Sequence, residues 1–289
     1  MNKRNPFKHL FMFVLVLALV VVTAACGNGD STKEKKENSS WDKIKKEGKI
    51  TVATSGTLYP TSFHESKTDK LTGFEVEVVR EMAKRMDLKV DFKEMAFDGM
   101  LTSLNSGKVD IAANDINKTN DPSRNKKFAF STPYKFSYAT AIVRKDDLSG
   151  IKTVDDIKGK KAAGEATTNY MKIAKKFGAE EVVYDNATNE QYLRDVSAGR
   201  TDIIINDYYL QKLAIAAFPD LNITIHPDLQ FETGEKGTSI VMKKANSNEL
   251  KKHIDQTIQE MLDDGTIAKL SKQFFDGADV TKQPEVELK

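Results

Sequence analysis

Cysteine is almost missing from this chain: Cys26 is the only one in 289 residues, so no intramolecular disulfide can form. The four histidines, His9, His64, His226 and His253, are scattered, with no metal-ligand spacing and no nucleophile motif beside them. Nothing here asks for a metal, a cofactor or catalysis. A charge excess is missing too, since 44 Lys and Arg face 42 Asp and Glu for a net charge of +2. The signs are interspersed, which makes nucleic acid an unattractive partner and lets Lys45 and Lys46 read as a solvated helix face. The N-terminal apolar run, Leu10 to Val22, is about 13 residues long, short of the roughly 20 that a helix needs to span a bilayer.

What is present at the N-terminus is Lys3, Arg4 and Lys8 ahead of that run, the order of a secretory signal rather than of a transmembrane anchor. Thr23, Ala24 and Ala25 then lead into Cys26, which resembles a bacterial lipobox with Thr23 where Leu is usual. The resemblance implies acylation of Cys26 and a protein anchored to the membrane rather than spanning it; a chance free cysteine is the alternative. Gly27 to Ser40 has no aliphatic or aromatic side chain and reads as a disordered tether holding the rest roughly 20 Å away. The expected organisation is a signal peptide over 1–25, lipidated cysteine and tether over 26–40, and about 250 further residues, enough for two lobes with separate cores.

Within those residues two similar series follow one another. Lys49 to Thr54 alternates as a strand; Phe74, Val78, Met82 and Met86 recur at helical spacing; Val90 and Phe92 alternate; Met100, Leu101 and Leu104 mark a helix stopped by Gly107; Val109 to Ala113 is a buried strand. The order returns as strand Lys161 to Gly164, helix Thr168 to Phe177, strand Glu181 to Tyr184, helix Asn189 to Ala198 and strand Thr201 to Ile205. Such alternation implies parallel sheets covered by helices, an α/β class. Gly107 to Asp115 (GKVDIAAND) and Gly199 to Asp207 (GRTDIIIND) agree at six of nine positions, counting Lys108 with Arg200. Thr238 to Met242 reads as a strand, Leu250 to Leu262 as an amphipathic helix ended by Asp264 and Gly265, and Ile267 to Phe275 as a last short helix. That tail packs on the first lobe or straddles both, so the chain crosses near Ala139 to Val143 and again near Phe231 to Ile240. Lobe one is expected over 41–140 plus 231–289 and lobe two over 141–230.

Seven phrases in order, WDKIKKEGKITVAT, KLTGFEVEVVREMAKRM, FDGMLTSLNSGKVDIAAND, RNKKFAFSTPY, VDDIKGKKAAG, AGRTDIIINDYY and DDGTIAKLSKQFF, resemble the polar amino-acid-binding proteins of ABC importers from Trp41 to about Phe275. AANDINKT, FAFSTPYKFSYATAIVRKDDLSGI and YDNATNEQYLRDV look closest to the L-cystine-binding lipoproteins of Gram-positive bacteria. The resemblance implies a two-lobed periplasmic-binding-protein-like fold of type II, its lobes joined by two crossover strands. It implies a monomer that captures L-cystine or a related sulfur amino acid at the outer face of the cell membrane and delivers it to a permease and its ATPase. Glutamine, arginine or another polar amino acid is the alternative ligand, and a secreted dehydratase of the same fold the alternative activity.

An amino acid is a zwitterion, so its site needs donors for a carboxylate and acceptors for an ammonium. By the resemblance, Arg124 takes the carboxylate with its planar fork, although Thr119 stands two residues further from it than in the usual Thr-x-x-Arg. Ala166, Thr167 and Thr168 lie where a helix N-terminus favours an anion, and Thr167 or Thr168 serves equally as its N-cap. Asp207 is placed for the ammonium, with Asp115 as its counterpart in lobe one, and Asn114 beside it takes a backbone or amide role. Tyr59 and Phe97 match the aromatics that sandwich the side chain, with Thr61 and Ser62 after Pro60 altering the usual Pro-Pro-Phe. Either aromatic fits a core position as well.

Overall fold

A computed structural model of the chain describes residues 39–118, 121–184, 187–233 and 237–284. The expected signal peptide, Cys26, most of the tether and Thr119 lie outside them. Ser39 ends the tether one residue early, because its hydroxyl accepts from the Asp42 N–H while the Asp42 carboxylate accepts from the Ser39 N–H. That reciprocal cap starts α1 (Ser40–Glu47). Gly48, at φ 63°, turns the chain into β1 (Lys49–Thr54), which buries Ile50 and Val52. Three short strands, β2 (Thr57–Leu58), β3 (Ser62–His64) and β4 (Leu71–Thr72), make a separate antiparallel sheet at the mouth of the first lobe. Next come α2 (Phe74–Arg85), β5 (Lys89–Glu94) and α3 (Phe97–Ser106), the last closed by Gly107 at φ 72°. The strand expected over 109–113 pairs only at β6 (Ile111–Ala112).

Then α4 (Pro122–Lys127) and β7 (Phe128–Phe130) lead to the first crossover, β8 (Ala139–Arg144). The second series holds β9 (Lys161–Gly164), α5 (Asn169–Lys176), β10 (Glu180–Val183) and α6 (Asn189–Ser197). It ends with β11 (Ile204–Asp207), α7 (Tyr208–Ala217) and the second crossover β12 (Ile223–Phe231). The tail supplies β13 (Val241–Lys243), α8 (Asn248–Asp263) and α9 (Thr266–Phe274).

The first sheet runs β5-β1-β6-β13-β7, parallel through β6 and antiparallel at β13. In the second lobe β9 pairs parallel with β10 and bridges in parallel to Ile203, while β11 pairs antiparallel with β8 and β8 with β12. The resulting order, β10-β9-β11-β8-β12, repeats that of lobe one. The lobes are therefore built alike, and each is a mixed sheet closed by one antiparallel strand rather than a purely parallel one. Alternate strand residues serve opposite helix layers, as their period of two requires: Val52, Ile111 and Met242 face one core cluster while Ala53, Ala112 and Val241 face another. Ile205 and Ile204 divide in the same way in lobe two.

Leu250, Ile254, Ile258 and Met261 of α8 are wholly buried in the core cluster that contains β1 and α2. At about 1.5–3 kcal/mol for each such side chain, this stripe ties the tail to lobe one. The crossovers run side by side, Phe231 opposite Ala139 and Gln230 opposite Thr140.

A cleft between the lobes

The cleft lies at the carboxyl ends of β1, β6, β9 and β11, the edge where open α/β sheets receive ligands. Ser55, Phe97, Asn114, Asp115 and Arg124 form its lobe-one wall, with Thr168, Asn169 and Tyr170 opposite.

Arg124 reaches the cleft because the two extra residues ahead of it start a helical turn: the Asp121 carboxylate accepts from the Ser123 N–H at 2.9 Å and Pro122 takes the first helical position. The guanidinium is nearly buried, 5.8 Å from the Phe97 ring centre, and donates to the Thr167 carbonyl at 3.5 Å. Among the described residues no carboxylate forms an ion pair with it. Burial pulls its pKa below the usual guanidinium value, with Asp121 and Asp98 only partly opposing, so an anion brought beside it would be bound strongly.

Across the gap Thr168 caps α5, its hydroxyl accepting from the Met171 N–H at 3.1 Å and donating to the Glu165 carbonyl at 2.9 Å. Its side chain is thus committed to the helix, and the first turn of α5 presents backbone N–H groups to the cleft. The Thr167 hydroxyl donates to Asp98, Lys172 pairs with Asp121 at 3.0 Å, and the Tyr170 hydroxyl donates to Asp115 at 3.2 Å. Four links therefore join the start of α5 to lobe one.

Asn114 lines the cleft, and its amide oxygen accepts from the Ser55 N–H at 3.0 Å, holding the turn after β1. Phe97 lines it as well. Tyr59 does not: it is 40% exposed, set edge-on to Phe63 with ring centres 4.9 Å apart. Asp207 does not either. It is the last residue of β11 and caps α7 by accepting from the Leu210 N–H at 3.0 Å. It is also sealed against the Lys135 ammonium, at 1% exposure.

Lys135 and Glu75 were not singled out from sequence. The Lys135 ammonium joins Asp115 of lobe one, at 2.8 Å, to Asp207 of lobe two. Burial pulls its pKa down, but the two carboxylates outweigh that and the net shift is upward. Asp207 is raised by its own burial against the pull of Lys135. Asp115 also accepts from the Thr238 hydroxyl at 2.8 Å, and sits at φ 53°, a conformation uncommon outside glycine that Asp tolerates. Its N–H donates to Glu75, as does the Tyr134 hydroxyl. Burial and then the Asp115 charge push Glu75 up to about 7. Glu75 could have been found, since it shares a helix face with Val78, Val79 and Met82 and a carboxylate on an apolar stripe needs a partner. Lys135 carried no such periodic signal.

A profile of the bacterial extracellular solute-binding proteins, family 3, matches residues 50–277. The chain belongs to that family. This solute-binding protein is 60% identical over 266 residues to the probable ABC transporter extracellular-binding protein YckB of Bacillus subtilis (strain 168), covering 91% of this chain and 90% of YckB. It is 39% identical over 261 residues to the L-cystine-binding protein TcyA of the same strain, covering 89% and 93% of the two. A crystal structure of YckB from Bacillus subtilis matches with a TM-score of 0.67 and 65% identity, over 86% of this solute-binding protein and 98% of that chain. Among the described residues no helix is long and apolar enough to cross a membrane.

Proposed function

We propose that this protein is the extracellular receptor of an amino-acid ABC importer, taking up L-cystine or a related sulfur amino acid and handing it to a permease and its ATPase. The observation that carries the reading is Arg124: a nearly buried guanidinium, with no ion pair among the described residues, facing the first turn of α5. A ligand carboxylate fits between them, meeting the planar fork on one side and helix N–H groups on the other. The ligand ammonium lies toward Asp115, which reaches the cleft, while Asp207 acts one step back by holding Lys135. Phe97 and Asn114 complete the lobe-one wall, and Tyr59 closes over the ligand only by moving.

The sulfur class is supported by the relationship to TcyA, named for L-cystine. Lipid on Cys26 would keep the protein, as a monomer, at the outer face of the membrane. No step changes the ligand covalently. A thermal-shift screen against the amino acids plus L-cystine tests the reading: a sulfur amino acid should give the largest rise in melting temperature. Glutamine or arginine in first place would move the ligand, and no shift with any amino acid would remove the reading.

A further inference from the structure

The buried charges behind the cleft do not balance. Glu75, Asp115 and Asp207 belong to one hydrogen-bonded chain, all of them buried, and among the described residues Lys135 is the cation that pairs with any of them. Three acids thus share one ammonium out of water. An unpaired carboxylate in such a place is costly enough to take up a proton instead.

Glu75 is the acid placed to do so. Asp115 and Asp207 both accept from Lys135, whereas the two Glu75 oxygens meet the Asp115 N–H and the Tyr134 hydroxyl and no cation. A proton on Oε1 keeps the bond to Tyr134 with its direction reversed, since a phenol hydroxyl accepts as well as donates. The titratable and charged groups that face Glu75 are Asp115, from the turn after β6, and Tyr134 and Lys135, from the segment after β7. Burial and then the Asp115 charge push its carboxyl up to about 7, so in the empty cleft it is about half protonated at neutral pH.

Asp115 connects this acid to the ligand. Its N–H touches Glu75, and its carboxylate lines the cleft, where it also accepts from the Tyr170 hydroxyl of lobe two at 3.2 Å. A ligand ammonium beside Asp115 is a second cation in the same water-poor region, and it favours the ionised form of Glu75. The first turn of α2, to which Glu75 belongs, favours that anion as well.

We propose that Glu75 is a positioning residue for the ligand ammonium, acting through Asp115 and giving up its proton as the ammonium arrives. The Glu75 O–H bond breaks, the proton passes to a solvent or buffer base, and the carboxylate stays. The empty cluster sets two carboxylates against Lys135; the filled one sets three against Lys135 and the ligand. Its excess of negative charge is the same in both. Capture therefore tightens as pH rises through the window in which only the empty protein holds the proton, and a carboxylic acid without an ammonium gains nothing from Glu75. The inference rests on the reading of the cleft as an amino-acid site with the ammonium toward Asp115.

The test is calorimetric titration of the purified protein with L-cystine, L-glutamine and L-arginine, in phosphate and in Tris at equal pH. The dependence of the measured heat on the buffer's ionisation enthalpy counts the protons released. Wild type should release roughly 0.3–0.5 proton per ligand at pH 7 and bind at least about threefold more tightly at pH 7.5 than at pH 6. Glu75→Gln, a neutral stand-in for the protonated acid, should release none and bind equally at both pH values, at the weaker wild-type level. Should that variant fail to fold, Tyr134→Phe removes a hydrogen bond that favours the Glu75 anion, and the pH of maximal release should rise. No release by wild type, equal release by Glu75→Gln, or an unmoved maximum in Tyr134→Phe overturns the proposal and leaves the amino-acid reading standing. If none of the three amino acids binds, the reading of the cleft itself has failed.

Discussion

Among the described residues Arg124 is a buried cation without an ion-paired carboxylate and Lys135 a buried cation with two, and the contrast divides binding from stability. Removing Asp207 leaves Lys135 with Asp115 alone and strips the cap from α7. Asp207→Ala should therefore cost the free protein about 2–4 kcal/mol in chemical denaturation. A role confined to ligand contact would leave that stability unmoved. Glu75 gives a pH signature. Its carboxyl titrates near 4.5 when unfolded and at about 7 when folded, burial being the first cause. Between those values the folded state holds a proton that the unfolded state has released, so stability from this group falls as pH rises through the window and levels above it. The loss is up to about 3 kcal/mol. Glu75→Gln should flatten the pH 5 to 7 slope seen in urea denaturation of wild type; an equal slope in both would contradict the assignment.

Helices and strands were legible in proportion to their punctuation. The starts of α2 and α6, the stop of α3 at Gly107 and the bounds of β1 and β9 follow from alternation, helical spacing and glycine stops, and of the two cap candidates Thr167 and Thr168 it is Thr168 that caps α5. The strand expected over 201–205 is shifted, because Ile203, Ile204 and Ile205 form an unbroken apolar run whose period marks no boundary; pairing with β8 extends it to Asp207. Likewise the strand expected over 238–242 narrows to β13, since Thr238 makes only isolated bridges to Asn117 and Lys135. Arg124 was expected in the cleft by resemblance, and it does line it, but its route there depends on the Asp121 cap, a local detail that the unusual spacing only hinted at. At this scale α5 carries the lobe-to-lobe links, and their strength follows exposure. Lys172 and Asp121 are both partly exposed, so Lys172→Ala should weaken ligand binding less than about fivefold by calorimetry, the range of a surface pair. A larger loss would make this pair a principal latch.

As a whole the molecule repeats one strand order in two lobes, a symmetry already audible in the shared phrase before Asp115 and Asp207. What the phrase could not show is that the equivalent aspartates divide their work: Asp115 reaches the cleft and Asp207 is sealed behind it, with Lys135 tying one to the other. Contacts of that kind join residues far apart in sequence and leave no periodic trace. The central claim is that the hollow between the lobes holds a zwitterion by its carboxylate at Arg124. Calorimetric titration of wild type and Arg124→Ala with the amino acid that the wild type binds best tests it most directly. The account predicts one site in the wild type and at least about tenfold weaker binding in the variant, the order expected for losing a charge-assisted bond of roughly 1.5–3 kcal/mol. Equal affinity in the two proteins would contradict it.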